Sequence, residues 1–431
     1  MFRFIKKTVA TFITQIGCLI LVLIGTIIIT RNLGPEGKGI ISLLTNYVMI
    51  VVSVFTFGMS EGVVYYLGTN KYSHKDIYTS IIYITIAMSL FVIGLSIFFK
   101  DVISRSILKN ITQADYYISL AIVPSFYFFL NIRKLFLGHK DIINFNLNLL
   151  AQSLLQLIFY LIFIPIWQIK GAILSIIAAY IIVDIFAGIT AYLRHGGLNV
   201  LPNFNFLKDS FLFGMKSEIG IILNFFERRL DIFIINFFLD PASVGFYTVA
   251  VAIAEFIWRI SDAIGTVLFP EVASLDREKA IRFIAVISRN FIFAALLLSG
   301  ILFLIGRDVI NILFGMKFMP SLSPLRILLP GVIALGFNRV LCGGFSGLGK
   351  PEYGTYTVVF SAITTVILDL LLIPKLGING AAIASTIAYI CSATTAIVIF
   401  KKAFHCRLSD MLFINKSDLK LYLSRSKIIA G

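Results

Sequence analysis

PIWQIKGAILSIIAAY (residues 165–180) and PKLGINGAAIASTIAY (374–389) place Pro, Ile, Gly-Ala and Ala-Tyr at matching positions, 209 residues apart. FLG (136–138) and FSG (345–347) keep that offset. LGPEGKG (33–39) and LDPASVG (239–245) share Leu, Pro and Gly at an offset of 206, so a three-residue insertion or deletion separates the two registers. The chain is a duplicated unit. Around these landmarks run apolar segments of about 20 residues, the length a helix needs to cross a bilayer. Twelve spans are expected, near 8–30, 39–67, 78–99, 114–137, 144–166 and 171–193 in the first copy, and 213–238, 243–270, 283–305, 322–347, 353–374 and 379–400 in the second. Six spans per copy is an even number, so both copies cross in the same sense. That is a parallel repeat about an axis along the membrane normal, an arrangement in which transporters bind substrate between the halves. The expected fold is all-α and polytopic, with about 12 transmembrane helices in two six-helix bundles. The bundles would span 1–200 and 201–400, followed by a basic tail at 401–431 that either lies along the membrane surface or is disordered.

Composition agrees. Of 431 residues, 58% are hydrophobic and 14% charged, and mean hydropathy is +0.95; soluble domains carry about 25% charged residues. The first apolar segment lacks a small-residue cleavage site and reads as a retained span. With the N-terminus inside, 23 of the 37 Lys and Arg fall on cytoplasmic segments and 10 on external ones. That bias sets the orientation, with both termini cytoplasmic. The net charge of +15 then mostly decorates the cytoplasmic face, where it suits anionic lipid. Nucleic-acid binding is not expected, since no soluble domain carries a basic stripe.

Four basic residues, Arg228, Arg229, Arg259 and Arg339, fall deep inside spans, whereas Arg133, Lys134, Lys216, Arg289 and Arg326 lie toward span ends and are counted with the segments they border. The seventh span, in NFFERRLDIFIINFFL (224–239), holds Glu227, Arg228, Arg229 and Asp231. Four charges at mid-helix cost on the order of 10 kcal/mol on insertion scales, and ten apolar neighbours return about 3–6 kcal/mol. The charges must therefore face partners or water. Asn224, Arg228 and Asp231 share one helical stripe, as do Glu255, Arg259 and Asp262. Two arrangements satisfy this: structural ion pairs between helices, or a hydrated cavity whose arginines grip an anion. The arginine excess favours the second, since a guanidinium binds phosphate bidentately. Arg31, beside the turn LGPEGKG, is either a snorkelling anchor or part of the same anion path. Carboxylates in such a cavity can carry protons, which makes Glu61, Asp184, Asp231, Glu255 and Asp262 candidates for ion coupling. Glu218 and Asp369 are further buried acids.

Other patterns carry less. GFSGLGKP (344–351) approaches a phosphate-binding loop, but Pro351 stands where the magnesium-holding hydroxyl belongs, and a span rather than a strand precedes it. GMSEG (58–62) fits close helix packing. His74, His139, His195 and His405 appear isolated on cytoplasmic segments, with no ligand cluster expected. Cys18, Cys342, Cys391 and Cys406 form no disulfide framework or metal spacing. No catalytic, metal or cofactor constellation is expected. The external connections are all shorter than about 20 residues, too short for a membrane-bound polymerase or ligase.

RNLGPEGKG (31–39), RRLDIFIINFFLDPASVGFYTVA (228–250), FPEVA (269–273), SGLGKPEYGTY (346–356) and IPKLGINGAAIAST (373–386), taken in order, resemble the Wzx-type polysaccharide flippases. These belong to the superfamily that includes the multidrug and toxic-compound extruders. The resemblance covers nearly the whole chain. It implies two bundles around a central cavity and transfer of an undecaprenyl-diphosphate-linked oligosaccharide across a bacterial plasma membrane. It also implies membrane lipids as partners, with a polysaccharide polymerase and chain-length regulator nearby, and gradient-driven transport. Cationic substrate-binding roles carry over to Arg31, Arg228, Arg229 and Arg259, with Asp231 beside them; Arg339 is added from its place in a span. Lipid II flippases typically have two further spans, and the chain stops about 30 residues after the twelfth, so the repeat-unit flippases are the expected branch. A multidrug extruder is the alternative; it would favour a carboxylate-rich cavity.

Overall fold

Four of the early helices begin on a side chain that accepts a backbone N–H three residues on: Ser73 from Asp76, Thr112 from Asp115, Asp141 from Asn144 and Asn203 from Phe206. Such caps satisfy amides that a helix start leaves orphaned. Between these starts the chain is apolar enough to stay helical through a bilayer. The computed structural model describes residues 2–404 and 408–412, and every regular element among them is helical. In order these are α1 (Phe2–Thr56), α2 (Met59–Thr69), α3 (His74–Phe98), α4 (Lys100–Ser106), α5 (Gln113–Leu120), α6 (Ile122–Gly138), α7 (Ile142–His195) and α8 (Phe204–Phe238). Then follow α9 (Pro241–Ser274), α10 (Arg277–Leu313), a 3₁₀ turn (Met316–Ser321), α11 (Leu322–Gly347), α12 (Glu352–Leu376), α13 (Ile378–Phe404) and α14 (Leu408–Leu412).

Among the described residues nine helices are long and apolar enough to span a membrane. Two of them, in α1 and α7, are 47 and 54 residues long and each hold two crossings. The breaks fall at Gly34–Pro35 and at Gln168, three residues after Pro165. α8 escapes that count because of its charges, and with it the crossings number twelve, as the sequence predicts.

The duplication is visible atom by atom. At the break inside α7, Gln168 has φ 51° and ψ −123°; its repeat mate Gly377, between α12 and α13, has φ 59° and ψ −140°. Three residues later Gly171 lies against the Phe163 carbonyl, and its mate Gly380 lies against the Leu372 carbonyl. The helix-ending turn after α6 bonds Lys140 N to Leu137 O and Asp141 N to Phe136 O, at 2.9 Å each. The turn after α11 repeats this with Gly349 N to Ser346 O at 3.1 Å and Lys350 N to Phe345 O at 2.8 Å. The sequence GFSGLGKP is thus a helix-ending turn.

By compactness the chain forms two units, residues 1–248 with 313–318, and residues 249–312 with 319–431. The first unit holds α1–α8. Its seventh crossing, α8, packs on α2. One core of this unit gathers Tyr66, Leu67, Ile77, Ile81, Ile132, Leu135, Phe136 and Phe206, each buried, from α2, α3, α6 and α8. In the second unit α13 packs on α11 and α12. Of the tail, Lys401–Phe404 extend α13, and α14 sits with Met411 fully buried and the Asp410 carbonyl accepting from Arg289 at 3.1 Å. The remainder of 401–431, with Cys406 and His405, lies outside the described residues. Among the described residues Cys18, Cys342 and Cys391 form no disulfide.

Candidate functional site

In the first unit the predicted cations do not stand alone. Arg31 is exposed where the first crossing ends and donates Nε to the Leu313 carbonyl at 3.1 Å. Four residues past Gly34 is Lys38, which lines a cavity of about 330 Å³ between α1, α6 and α7. The guanidinium of Arg229 on α8 is near enough to act on the Lys38 ammonium through their like charges. Arg228 and Arg229 are half-buried. Asp231 is buried and accepts from the Tyr247 hydroxyl at 2.5 Å. This contact ties α8 to α9. Asn224, on the same stripe, donates to the Gly220 carbonyl of its own helix.

The acids divide. Glu61 is paired with Lys134 at 2.5 Å. Asp184, on α7, has no hydrogen-bond partner for either carboxylate oxygen, and its charge acts on Tyr180 one helical turn before it. In the second unit Glu255 is buried and pairs with Arg259 at 3.0 Å, one helical turn on. Arg259 also lies over the Trp258 ring at 5.4 Å and keeps 45% of its side chain exposed, so it is not sealed in a dry pair. Asp262 is exposed, and Arg339 on α11 is half-buried. The structure therefore assembles Arg31, Glu61, Asp184, Arg228, Arg229 and Asp231 in one unit and Glu255, Arg259, Asp262 and Arg339 in the other.

Three features escape the sequence reading. The first is a polar ladder on the first half of α7. Asn144, Asn148, Gln152, Gln156 and Tyr160 recur every four residues and cover about 24 Å at 1.5 Å per residue. All but Gln156 are buried. Gln152 donates to Gln156 Oε1, and Gln156 donates to the Tyr160 hydroxyl, each at 2.5 Å. The i, i+4 spacing is in the sequence; uncharged amides simply draw less attention than arginines. The second is Arg133, whose guanidinium sits over Phe145 at 4.4 Å and Phe129 at 5.3 Å.

The third corrects the expectation that the histidines are isolated. His74, His139 and His195 meet, with ring centroids 4.6, 5.1 and 3.9 Å apart. His74 Nδ1 and His139 Nε2 share a hydrogen bond of 2.5 Å, while His139 and His195 stack at 7°. They cap the ends of α3, α6 and α7, so helix packing unites what the chain separates by 65 and 56 residues. The face-to-face rings do not converge on a point, and among the described residues no group of three such side chains has the geometry to hold a metal. Burial, and then the charge of His195, push the His139 imidazole from 6.5 down to about 4. Nearby, Lys71 and Tyr72 both donate to Asp209 Oδ2 at 2.6 Å and hold that carboxyl below its ordinary range.

The sequence profile of the family described as "Polysaccharide biosynthesis protein" matches residues 4–276. The chain belongs to that family. It is 27% identical over 194 residues to a probable low-salt glycan biosynthesis flippase, Agl15, of Haloferax volcanii. That match covers 44% of the chain and 41% of the relative. An uncharacterized membrane protein of Methanocaldococcus jannaschii is 24% identical over 417 residues, 89% of the chain and 80% of the relative. Among solved structures, the lipid II flippase MurJ in an inward closed conformation superposes with a TM-score of 0.79 at 13% identity, covering 94% of this chain and 89% of MurJ. An inward-facing multidrug resistance MATE family transporter gives 0.73 at 16% identity, covering 90% and 94%. The fold is thus the two-bundle, twelve-helix fold of these transporters. The protein is a multi-pass membrane protein of this family.

Proposed function

We propose that the protein flips an oligosaccharide repeat unit linked to undecaprenyl diphosphate from the inner to the outer leaflet of a bacterial plasma membrane, both of its termini being cytoplasmic. The product feeds a surface polysaccharide such as O-antigen, capsule or exopolysaccharide, with a polymerase and chain-length regulator acting downstream. Membership of the polysaccharide biosynthesis family carries the reading; the excess of arginine inside the spans supports it. Arg31, Arg228, Arg229, Arg259 and Arg339 would grip the diphosphate, whose oxygens accept paired hydrogen bonds from a guanidinium fork. The prenyl chain stays in lipid, and alternating access of the two halves moves the head group. Asp184, with no hydrogen bond to satisfy its oxygens, is the strongest of the proposed ion-coupling groups; Glu61, Asp231, Glu255 and Asp262 already have polar partners or solvent.

The test is deletion of the gene and complementation with Arg228→Gln/Arg229→Gln. Lipid-linked repeat units should accumulate on the inner leaflet in both strains, with the double variant still present in the membrane. Normal surface polysaccharide in the deletion strain would overturn the proposal.

A multidrug extruder is the second reading. Probable multidrug resistance protein NorM of Bacillus cereus is 30% identical over 217 residues, 45% of this chain. Drug sensitivity in a deletion strain whose polysaccharide is intact would favour it. A cavity lined by Lys38 and by no carboxylate suits cationic drugs poorly.

A further inference from the structure

The cavity inside the first unit has a chemistry that gripping a diphosphate does not use. Its volume of about 330 Å³ is at the small end of ligand pockets, which run from about 300 to 1,000 Å³. Its polar lining is made of amides and hydroxyls, chiefly Thr45, Gln152, Gln156, Tyr160 and Tyr180, with a single charge from Lys38 and no carboxylate. No ion pair forms with Lys38 among the described residues. An ammonium drawn out of water is costly unless something neutralises it, and Arg229 adds to that cost. An inorganic cation would meet the Lys38 ammonium with no carboxylate to offset the repulsion. A wholly apolar ligand would strand the amides of the ladder, each unmet polar group costing about 1–3 kcal/mol.

The amides are held ready. Gln156 is fixed from both sides by Gln152 and Tyr160, so its second N–H is free to point at a ligand, as is the Tyr160 O–H. Phe126, Tyr160 and Tyr180 supply ring faces. A monosaccharide presents the complement: an apolar C–H face for the rings and an edge of hydroxyls for amides that both donate and accept. One carboxylate on that sugar would meet Lys38. From this lining we infer that the cavity is a subsite for an acidic sugar residue, a hexuronic acid or its like, within the transported glycan. The inference rests on the flippase reading and names part of its substrate. Gln152, Gln156 and Tyr160 read the hydroxyls, and Lys38 reads the charge.

Isothermal titration of the purified full-length protein with glucuronate, glucose and inorganic phosphate tests it. Glucuronate should bind at least tenfold more tightly than glucose, and phosphate no better than glucose. In Lys38→Gln glucuronate should fall to the level of glucose; in Gln156→Ala both sugars should weaken together. Phosphate binding as tightly as glucuronate would mark a plain anion site and overturn the inference, as would an absence of sugar binding by the wild-type protein or an unchanged preference in Lys38→Gln. Should Lys38→Gln fail to fold, the wild-type selectivity among the three probes still decides. The flippase reading fails separately: a deletion strain with normal surface polysaccharide leaves these titrations untouched, and failed titrations leave the deletion phenotype standing.

Discussion

Asp231 is the clearest case of a charge that packing makes tolerable. It is buried on a span whose neighbours are Phe, Ile and Leu, yet the Tyr247 hydroxyl donates to it at 2.5 Å. A hydrogen bond to a charged group contributes more than a neutral one, and removing one partner leaves the other unsatisfied. Tyr247→Phe is therefore expected to destabilise the protein by about 1–3 kcal/mol, seen as a lower unfolding temperature in detergent. An unchanged temperature would mean that Asp231 is held by other partners alone. The sequence placed Asp231 with Arg228 on one stripe but could not name Tyr247, because that contact joins two helices across a turn and leaves no periodic trace. Lys38 was missed for a related reason. In the sequence it is one residue of the turn LGPEGKG; the helical geometry after Pro35 carries it into a cavity.

At the scale of the helix, two devices deserve a measurement. The break inside α7 puts Gln168 at φ 51° and ψ −123°, a conformation that its mate at 377 meets with glycine. A side chain held there costs about 1–3 kcal/mol, and glycine gives back about 0.5–1 kcal/mol through its freer unfolded chain. Gln168→Gly should stabilise the protein by about 1 kcal/mol, a rise in unfolding temperature; a fall would show that the Gln168 side chain contributes more than its backbone costs. The second device is the histidine cluster at the ends of α3, α6 and α7. The bond between His74 and His139 needs one unprotonated nitrogen, and the stacked pair disfavours charge on either ring. The His139 value is depressed from 6.5 to about 4, so the fold favours the neutral ring. Its contribution is complete above about pH 6.5 and is lost as pH falls toward 4. Asp141 opposes this loss and Arg194 reinforces it. Unfolding temperature should drop over that window, and His139→Phe should flatten the drop. Equal slopes in both proteins would remove the cluster as the cause. Periodicity made each helix legible in the sequence; which helix ends would meet depended on packing, and so the cluster was not.

For the whole molecule, the duplication and the length of the apolar runs were enough to expect twelve crossings in a parallel repeat. What they could not supply was where compactness divides the chain, since α8 belongs to the second copy yet packs with the first six crossings. The site was legible as a set of charges without their partners: spans reveal an arginine by its cost, whereas a buried glutamine such as Gln152 is cheap enough to pass unnoticed. The duplication also explains one crossing inside the first unit. A Cβ on Gly39 would lie 1.7 Å from the Pro241 carbonyl oxygen, and one on Gly245 would lie 2.0 Å from that of Pro35. Ser42 meets Thr248 at 3.5 Å just beyond. Gly39 meets the mate of Pro35, Gly245 meets Pro35 itself, and Ser42 meets its own mate Thr248. Gly39→Ala should force the helices apart at a cost of about 1–3 kcal/mol, lowering the unfolding temperature; retention of the wild-type value would mean the crossing can open without penalty. A segment that binds its own duplicate preserves the contact a half-length ancestor would have made with a second molecule of itself. The crossing thus reads as the seam of an ancient homodimer whose subunits were later joined into one polypeptide.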